Sequence, residues 1–279
     1  MNHRRIIALQ PAAPLLRDAP LPARPQLSAP PPLSLYVHFP WCVRKCPYCD
    51  FNSHAPRGNA AAIPEAAWID AVIADLQAAL PQVWGRRVHS IFFGGGTPSL
   101  MSAQGLDRML TAIRMLLPLD PMAEITLEAN PGTVEATRFR DFRAAGVNRL
   151  SLGIQSFDDG MLARIGRIHD GNEARRALDV AQTHFERVNL DLMYALPEQS
   201  VDMALADLRT ALGSGISHLS CYHLTLEPNT PFAHHPPPLP DDDTAADMQQ
   251  AIEDTLAGAG FQHYETSAFA QRGPQCVHN

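Results

Sequence analysis

Apolar and polar positions divide the chain into two regimes that meet near Leu33. From there on, apolar runs of strand length alternate with longer stretches whose apolar residues recur at helical spacing. Residues 34–39 read as a first strand, and 65–80 as an amphipathic helix with Ile69, Val72, Ile73, Leu76 and Leu80 on one face. A second strand at 88–93 leads through a glycine loop into a helix at 103–117. The pattern then repeats: strand 124–129 and helix 134–145, strand 149–154 and helical segments at 158–165 and 172–184, strand 187–193 and helix 202–212. A sixth strand at 218–226 precedes a long helix at 242–259, and residues 264–269 add a further strand. Residues 1–32 are different, being rich in Pro and Ala from Pro11 onward and without periodicity, the composition of a disordered, solvated tail. A second proline-rich stretch at 235–240 reads as a connection, because the alternation resumes beyond it.

Six βα units argue for a parallel sheet covered by helices. Polar residues of interest stand just after or within one strand after another: Cys42 after the first, Gly94 to Thr97 after the second, Glu128 closing the third, Gln155 after the fourth and Asp191 in the fifth. Polar groups collected at the C-terminal ends of successive strands mark the mouth of a barrel. The expected fold class is therefore α/β, a partial barrel of six βα units over 33–279.

Composition narrows the function. With 46% hydrophobic and 18% charged residues the chain suits a soluble protein with a sizeable core, and a net charge of -7 argues against nucleic-acid binding. No apolar run reaches transmembrane length, and the stretch after Arg4 and Arg5 is too short for a signal peptide. Free thiols without a secretion signal indicate the reducing cytoplasm.

Three of the five cysteines, Cys42, Cys46 and Cys49, follow the first strand in a C-x₃-C-x₂-C spacing. Such a loop can present three thiolates to an iron–sulfur cluster, which normally takes four protein ligands, and so leaves one iron open for chemistry or ligand capture. Zinc is the rival reading, with His54 or His38 completing a tetrahedral set. A disulfide fits poorly, since Cys221 and Cys276 lie far away in sequence. Tyr48, beside the third cysteine, is placed to pack against a bound ligand. The triplet Gly94, Gly95, Gly96, followed by Thr97 and Pro98, is neither a dinucleotide fingerprint nor a P-loop, but it lets backbone approach a ligand closely.

Tyr36-x-His38-x-Pro40-x-Cys42-x₃-Cys46-x-Tyr48-Cys49, together with the glycine loop, resembles the radical S-adenosylmethionine (SAM) family. Within it the chain is most similar to the group that holds oxygen-independent coproporphyrinogen III oxidase and its haem-chaperone relative. The stretches 128–131, 150–157 and 189–197 follow in the family's order, and the resemblance runs from Leu33 to Asn279. It implies a [4Fe–4S] cluster on the three cysteines, with SAM chelating the open iron. It implies SAM contacts at Tyr36, Gly95, Gly96, Thr97 and Glu128. Gln155, Arg167 and Asp191 match positions that serve a second SAM in the oxidase. Without the cluster motif, Glu128, Gln155 and Asp191 would read as mutually paired barrel polars, and Arg167 as a helix-end charge.

Two departures from the oxidase favour the carrier branch. Phe51 stands where the oxidase has another cysteine, and the proline-rich tail replaces its ordered N-terminal segment. The first reading is thus a haem chaperone that passes haem to an acceptor protein, which the resemblance allows to be membrane-associated through peripheral contact. The second is an oxidase-type enzyme acting on a porphyrinogen. Among 12 histidines, His278 is the candidate haem ligand, because Cys276-Val-His278-Asn279 resembles the start of the chaperones' His-Asn-x-x-Tyr stretch. The tyrosine and the family's smaller C-terminal region do not follow Asn279, so the chain looks truncated, with the barrel's open side uncovered.

Overall fold

The computed structural model describes residues 29–56, 63–133, 136–273 and 275–278; most of the segment expected to be a tail lies outside them. Among the described residues eight strands form one sheet in the order β1-β2-β3-β4-β5-β6-β8-β7. The first six are parallel: β1 (Leu33–Phe39), β2 (Val88–Gly95), β3 (Leu119–Ala129), β4 (Arg149–Gln155), β5 (Arg187–Tyr194) and β6 (His218–His223). The helices α1 (Glu65–Val83), α2 (Ala103–Leu116) and α3 (Ala136–Ala145) follow the first three strands. Then come α4 (Asp159–Arg164) and α5 (Gly171–His184) after β4, α6 (Val201–Gly213) after β5, and the one-turn α7 (Pro231–His234) and α8 (Asp242–Gly258) after β6. The six expected βα units are all present.

Side-chain alternation explains why this sheet can host a chamber. Outward positions such as Phe39, Ile91, Phe93, Leu127, Leu150, Leu152, Leu190 and Leu219 are buried under the helices in one apolar core. Inward positions on β2 to β6 are largely polar: Ser90, Glu124, Thr126, Arg149, Ser151, Asn189, His218 and Ser220 are all buried. The lumen of an eight-stranded βα barrel is normally filled by branched apolar side chains. Here Arg187 of β5 reaches past β4 to Glu124 of β3 at 2.7 Å, and Arg149 of β4 reaches past β5 to His218 of β6 at 3.3 Å. Contacts that skip a strand arise on the concave side of a curled sheet.

Three element boundaries differ from expectation, each for a local reason. Strand β3 starts at Leu119 rather than 124; a register shift between Val88 and Ser90 absorbs Pro121, which has no N–H for the ladder. Strand β6 stops at His223 rather than 226 because its partner β5 ends at Tyr194. The single strand expected at 264–269 is instead a hairpin of β7 (Gln262–Glu265) and β8 (Ala268–Ala270), with β8 antiparallel to β6. The His263 ring and the Thr266 carbonyl close that turn at 3.1 Å.

Candidate functional site

The cysteine loop is held from several sides. Phe39, Trp41 and Trp68 of α1 form an edge-to-face cluster with ring centroids 5.1–6.2 Å apart, which anchors the loop's start. Cys42 N–H donates to the His54 carbonyl (3.0 Å) and His54 N–H to the Pro40 carbonyl (2.8 Å). Lys45 Nζ donates to the Phe51 carbonyl at 2.8 Å, and Arg44 donates to the carbonyls of Gly166 and Arg167 in the loop after α4. Cys42, Cys46 and Cys49 all line one cavity of about 360 Å³ at the C-terminal ends of the strands.

The glycine loop packs on the cysteine loop, and its N–H groups are engaged within the protein. Gly96 N–H donates to the Phe39 carbonyl and Thr97 N–H to the Trp41 carbonyl, both at 2.7 Å, while Gly95 N–H donates to Glu128 Oε2 at 3.2 Å. Gly95 sits at φ +115°, and a Cβ there would meet the His38 ring at 2.7 Å, so glycine is required by the close approach of β1. What this loop can offer a ligand is carbonyl oxygen, which suits an ammonium group and not a carboxylate. Tyr36 does not line the cavity. Half-exposed, it donates its hydroxyl to His38 Nδ1 (3.3 Å) and stacks on Phe92, which does line it.

Arg167 ties the mouth together. Its Nη2 donates to Asn130 Oδ1 and to the Gly153 carbonyl, each at 2.5 Å, and its Nη1 lies 3.7 Å from Cys46 Sγ. Asn130 in turn donates to Thr97 Oγ1 at 2.9 Å, so β2, β3, β4 and the cysteine loop converge on one guanidinium. Gln155 adopts φ +71°, beside the register shift that ends β4, and its amide reaches towards Gly153 and the cavity. A left-handed non-glycine residue costs about 1–3 kcal/mol, and such strain clusters where a side chain must be aimed. Arg167→Met should lower thermal stability by about 2 kcal/mol, since charged hydrogen bonds to two segments are lost together. Thermal unfolding checks this, and an unchanged midpoint would contradict the tie.

Deeper in the cavity two carboxylates face each other. Burial pushes Glu128 up to about 8, with the Asp191 charge adding to the effect and the Gly95 N–H opposing it. Burial pushes Asp191 up to about 6, against hydrogen bonds from Asn189 and Ser151. Asn189 Nδ2 donates to Asp191 Oδ1 (2.7 Å) and to Ser151 Oγ (2.8 Å), and Ser151 Oγ lies 3.2 Å from Asp191 Oδ2. Asn130, Asn189 and His218 were not singled out in the sequence. The signal that could have found Asn189 and His218 is the inward register they share with Asp191 and Ser220.

His278 lies elsewhere. Residues 275–278 run along the N-terminal end of the sheet's inner face: the Gln275 carbonyl accepts from Arg187 (2.7 Å), and Val277 N–H donates to Glu124 Oε1 (2.9 Å). The His278 ring packs 5.0 Å from Phe92 and its Nδ1 lies 3.1 Å from Ser90 Oγ. Ser90 Oγ donates to Ser34 Oγ, so His278 Nδ1 carries the proton and Nε2 keeps its lone pair. Phe92, on which it packs, lines the cavity that holds the cysteines, whereas His278 does not.

The donor set fits a cluster better than a single metal ion. Tetrahedral zinc on the three cysteines would need a histidine as fourth ligand. His54 directs Nε2 to Asn52 Oδ1 at 3.1 Å instead. Three thiols lining one cavity suit the cuboid of an iron–sulfur cluster, and the buried Arg167 Nε, which finds no acceptor, belongs to the guanidinium that approaches Cys46.

Comparisons with known proteins agree with this geometry. The family described as the Radical SAM superfamily matches residues 36–211. Heme chaperone HemW of Escherichia coli is 52% identical over 250 residues, 89% of this chain and 65% of that protein. HemW of Haemophilus influenzae is 51% identical over 89% of this chain and 66% of its own length. The mitochondrial Radical S-adenosyl methionine domain-containing protein 1 of Mus musculus is 42% identical over 88% of this chain and 56% of its own. The solved structure of coproporphyrinogen III oxidase (HemN) from Escherichia coli superposes with a TM-score of 0.78 at 28% identity, covering 87% of this chain and 56% of that one. The chain thus spans just under two thirds of the length of the HemW proteins it matches.

Proposed function

Because this chain belongs to the radical SAM superfamily, whose members hold a [4Fe–4S] cluster and SAM, we propose that it works as a haem chaperone, carrying haem as cargo to an acceptor protein. The observation that carries this reading is the 52% identity to HemW over 89% of the chain, against 28% to the oxidase over a similar span. Phe51, in place of the oxidase's additional cysteine, points the same way. The five free thiols suit a reducing cytoplasm, and no described helix is long and apolar enough to cross a membrane. A membrane-associated acceptor would then be met through peripheral contact.

In this reading Cys42, Cys46 and Cys49 hold the cluster. When bound, the cluster and SAM supply one-electron chemistry at the sulfonium centre. The chain's own residues bind and orient. Carbonyls of Gly95 and Gly96 and the carboxylate of Glu128 receive the methionyl ammonium, with Thr97, Tyr48 and the edge residue Tyr36 shaping the pocket. Gln155 and Asp191 offer an amide and a carboxylate to further polar groups of the ligand, and Arg167 holds the walls in place beside Cys46. A cavity of about 360 Å³ lies at the small end for one drug-sized ligand, so SAM and haem do not share it. Haem belongs at the other end, where the Ser90 hydroxyl fixes the His278 tautomer with Nε2 free to ligate, as second-sphere partners do for metal-bound histidines.

Anaerobic haem titration of the cluster-reconstituted chain, with and without saturating SAM, tests the reading. One haem per chain in both titrations is expected, with haem binding lost in His278→Ala while cluster and SAM are retained. Displacement of haem by SAM would place both ligands in one cavity and overturn the arrangement. Absence of specific haem binding, with turnover of coproporphyrinogen, would favour the enzyme.

A further inference from the structure

An unbroken chain of hydrogen bonds crosses the lumen from residues 275–278 to the cavity. Cys276 N–H donates to Tyr264 Oη at 3.1 Å, and Tyr264 Oη lies 2.6 Å from His218 Nε2. His218 Nδ1 lies 2.6 Å from Asn189 Oδ1, and Asn189 Nδ2 donates to Asp191 Oδ1 at 2.7 Å. The proton positions follow from the chemistry of the partners. Asn189 Oδ1 is a carbonyl oxygen and only accepts, so His218 carries its proton on Nδ1. Nε2 is then the acceptor, and the Tyr264 hydroxyl donates to it. His218 is held neutral, about 3, by burial and by the charges of Arg149 and Arg187.

The middle of the chain has no slack. Asn189 Nδ2 uses both hydrogens, on Ser151 and Asp191, and Oδ1 accepts from both His218 and Ser220 Oγ (3.2 Å). With every donor and acceptor used, the amide cannot flip without breaking contacts on three strands. The opposite histidine tautomer would set a lone pair against Asn189 Oδ1 and a proton against Tyr264.

We propose that His218 and Tyr264 are positioning residues: through Asn189 they fix Asp191 in the cavity, and they couple its carboxylate to the seating of residues 275–278. The coupling rests on the reading of the cavity as a SAM site. It predicts that the end of the lumen assigned to haem and the end assigned to SAM sense each other, since Cys276 lies two residues before His278. Glu128 of β3, Arg149 of β4 and Tyr222 of β6 also face Asp191, and all three are left unchanged in the variants that test the relay.

The test follows the Asp191 carboxyl by NMR across pH in the ¹³C-aspartate-labelled chain, together with SAM affinity at pH 6.5. In His218→Leu the hydrogen bond from Asn189 loosens, the anion loses a donor, and Asp191 should titrate roughly 0.5–1 pH unit higher. SAM should bind roughly 3–10-fold more weakly. His218→Gln, whose amide can donate to Asn189 and accept from Tyr264, should titrate as the wild type. Tyr264→Phe, which removes a single hydroxyl, should shift Asp191 in the same direction as His218→Leu and decides the matter if the leucine variant fails to fold. An unshifted Asp191 in Tyr264→Phe overturns the relay. Failure of the wild type to bind SAM overturns the reading of the cavity instead, and the titration still decides the relay.

Discussion

Alanine at Cys42, Cys46 or Cys49 should leave a chain that retains no iron–sulfur cluster after anaerobic reconstitution, whereas alanine at Cys221 or Cys276 should leave cluster content intact. Three ligands already leave one iron without a protein donor, and a second vacancy on the cuboid leaves only two anchors in a solvent-accessible cavity. No other cysteine can substitute. The Cys221 thiol points away from the lumen into the core, and burial pushes it up to about 12, so it stays protonated and inert. Cys276 donates to Glu124 Oε1 at 3.3 Å, at the far end of the lumen. Iron and acid-labile sulfide per chain are the measurements, with about four of each expected in the wild type. A full complement in any of the three first-named variants would remove the basis for the cluster assignment.

Glu128→Gln should make the ligand-free chain more stable at alkaline pH while weakening SAM binding at least about 10-fold. The sign follows from the direction of the shift. Glu128 is raised from its ordinary 4.5 to about 8, so the folded chain holds a proton that the unfolded chain has released across that window. Stability from this group is therefore fully present below pH 4.5 and is lost as pH rises through 8. Forcing the charge into the lumen costs on the order of 3 kcal/mol, allowing for water that reaches it through the cavity. Glutamine keeps the acceptor for Gly95 N–H without the charge. Its thermal midpoint at pH 8.5 should exceed the wild type's by roughly 6–10 °C, with little difference at pH 4.5. Equal midpoints at pH 8.5 would show that Glu128 is not held neutral. The same carboxylate thus destabilises the empty chain and awaits a cationic ligand, a common arrangement where function opposes stability.

The fold was legible because each strand is short, apolar on its outer face and followed by a helical period. The cysteine loop was legible because thiol spacing is a local property. Boundaries went astray where tertiary pairing overrides local signal: at Pro121, absorbed by a bulge, and at 264–269, where a turn at Thr266 and Ser267 makes two strands in place of one. The glycine loop was read as exposing its backbone to a ligand, yet its N–H groups serve Phe39, Trp41 and Glu128. No sequence reading would reveal that, since the partners lie on β1, β3 and the cysteine loop. Arg167 was read as a match to a second-SAM position or as a helix-end charge; its contacts with Asn130, Gly153 and Cys46 depend on three segments meeting, which spacing alone does not encode.

The docking of residues 275–278 also sets an order in time. Ser90 waits for His278 across 188 positions of sequence. At synthesis rates of roughly 5–20 residues per second, that is on the order of ten seconds or more after β2 has emerged. Long-range closures of this kind slow the last step of folding, because chain entropy is surrendered before the contact forms. The cysteine loop, by contrast, closes on its neighbours β1 and β2 early. A nascent chain therefore passes through an interval in which its three thiols are arranged while the far end of the lumen still stands open, and metal loading during translation would fall within that interval.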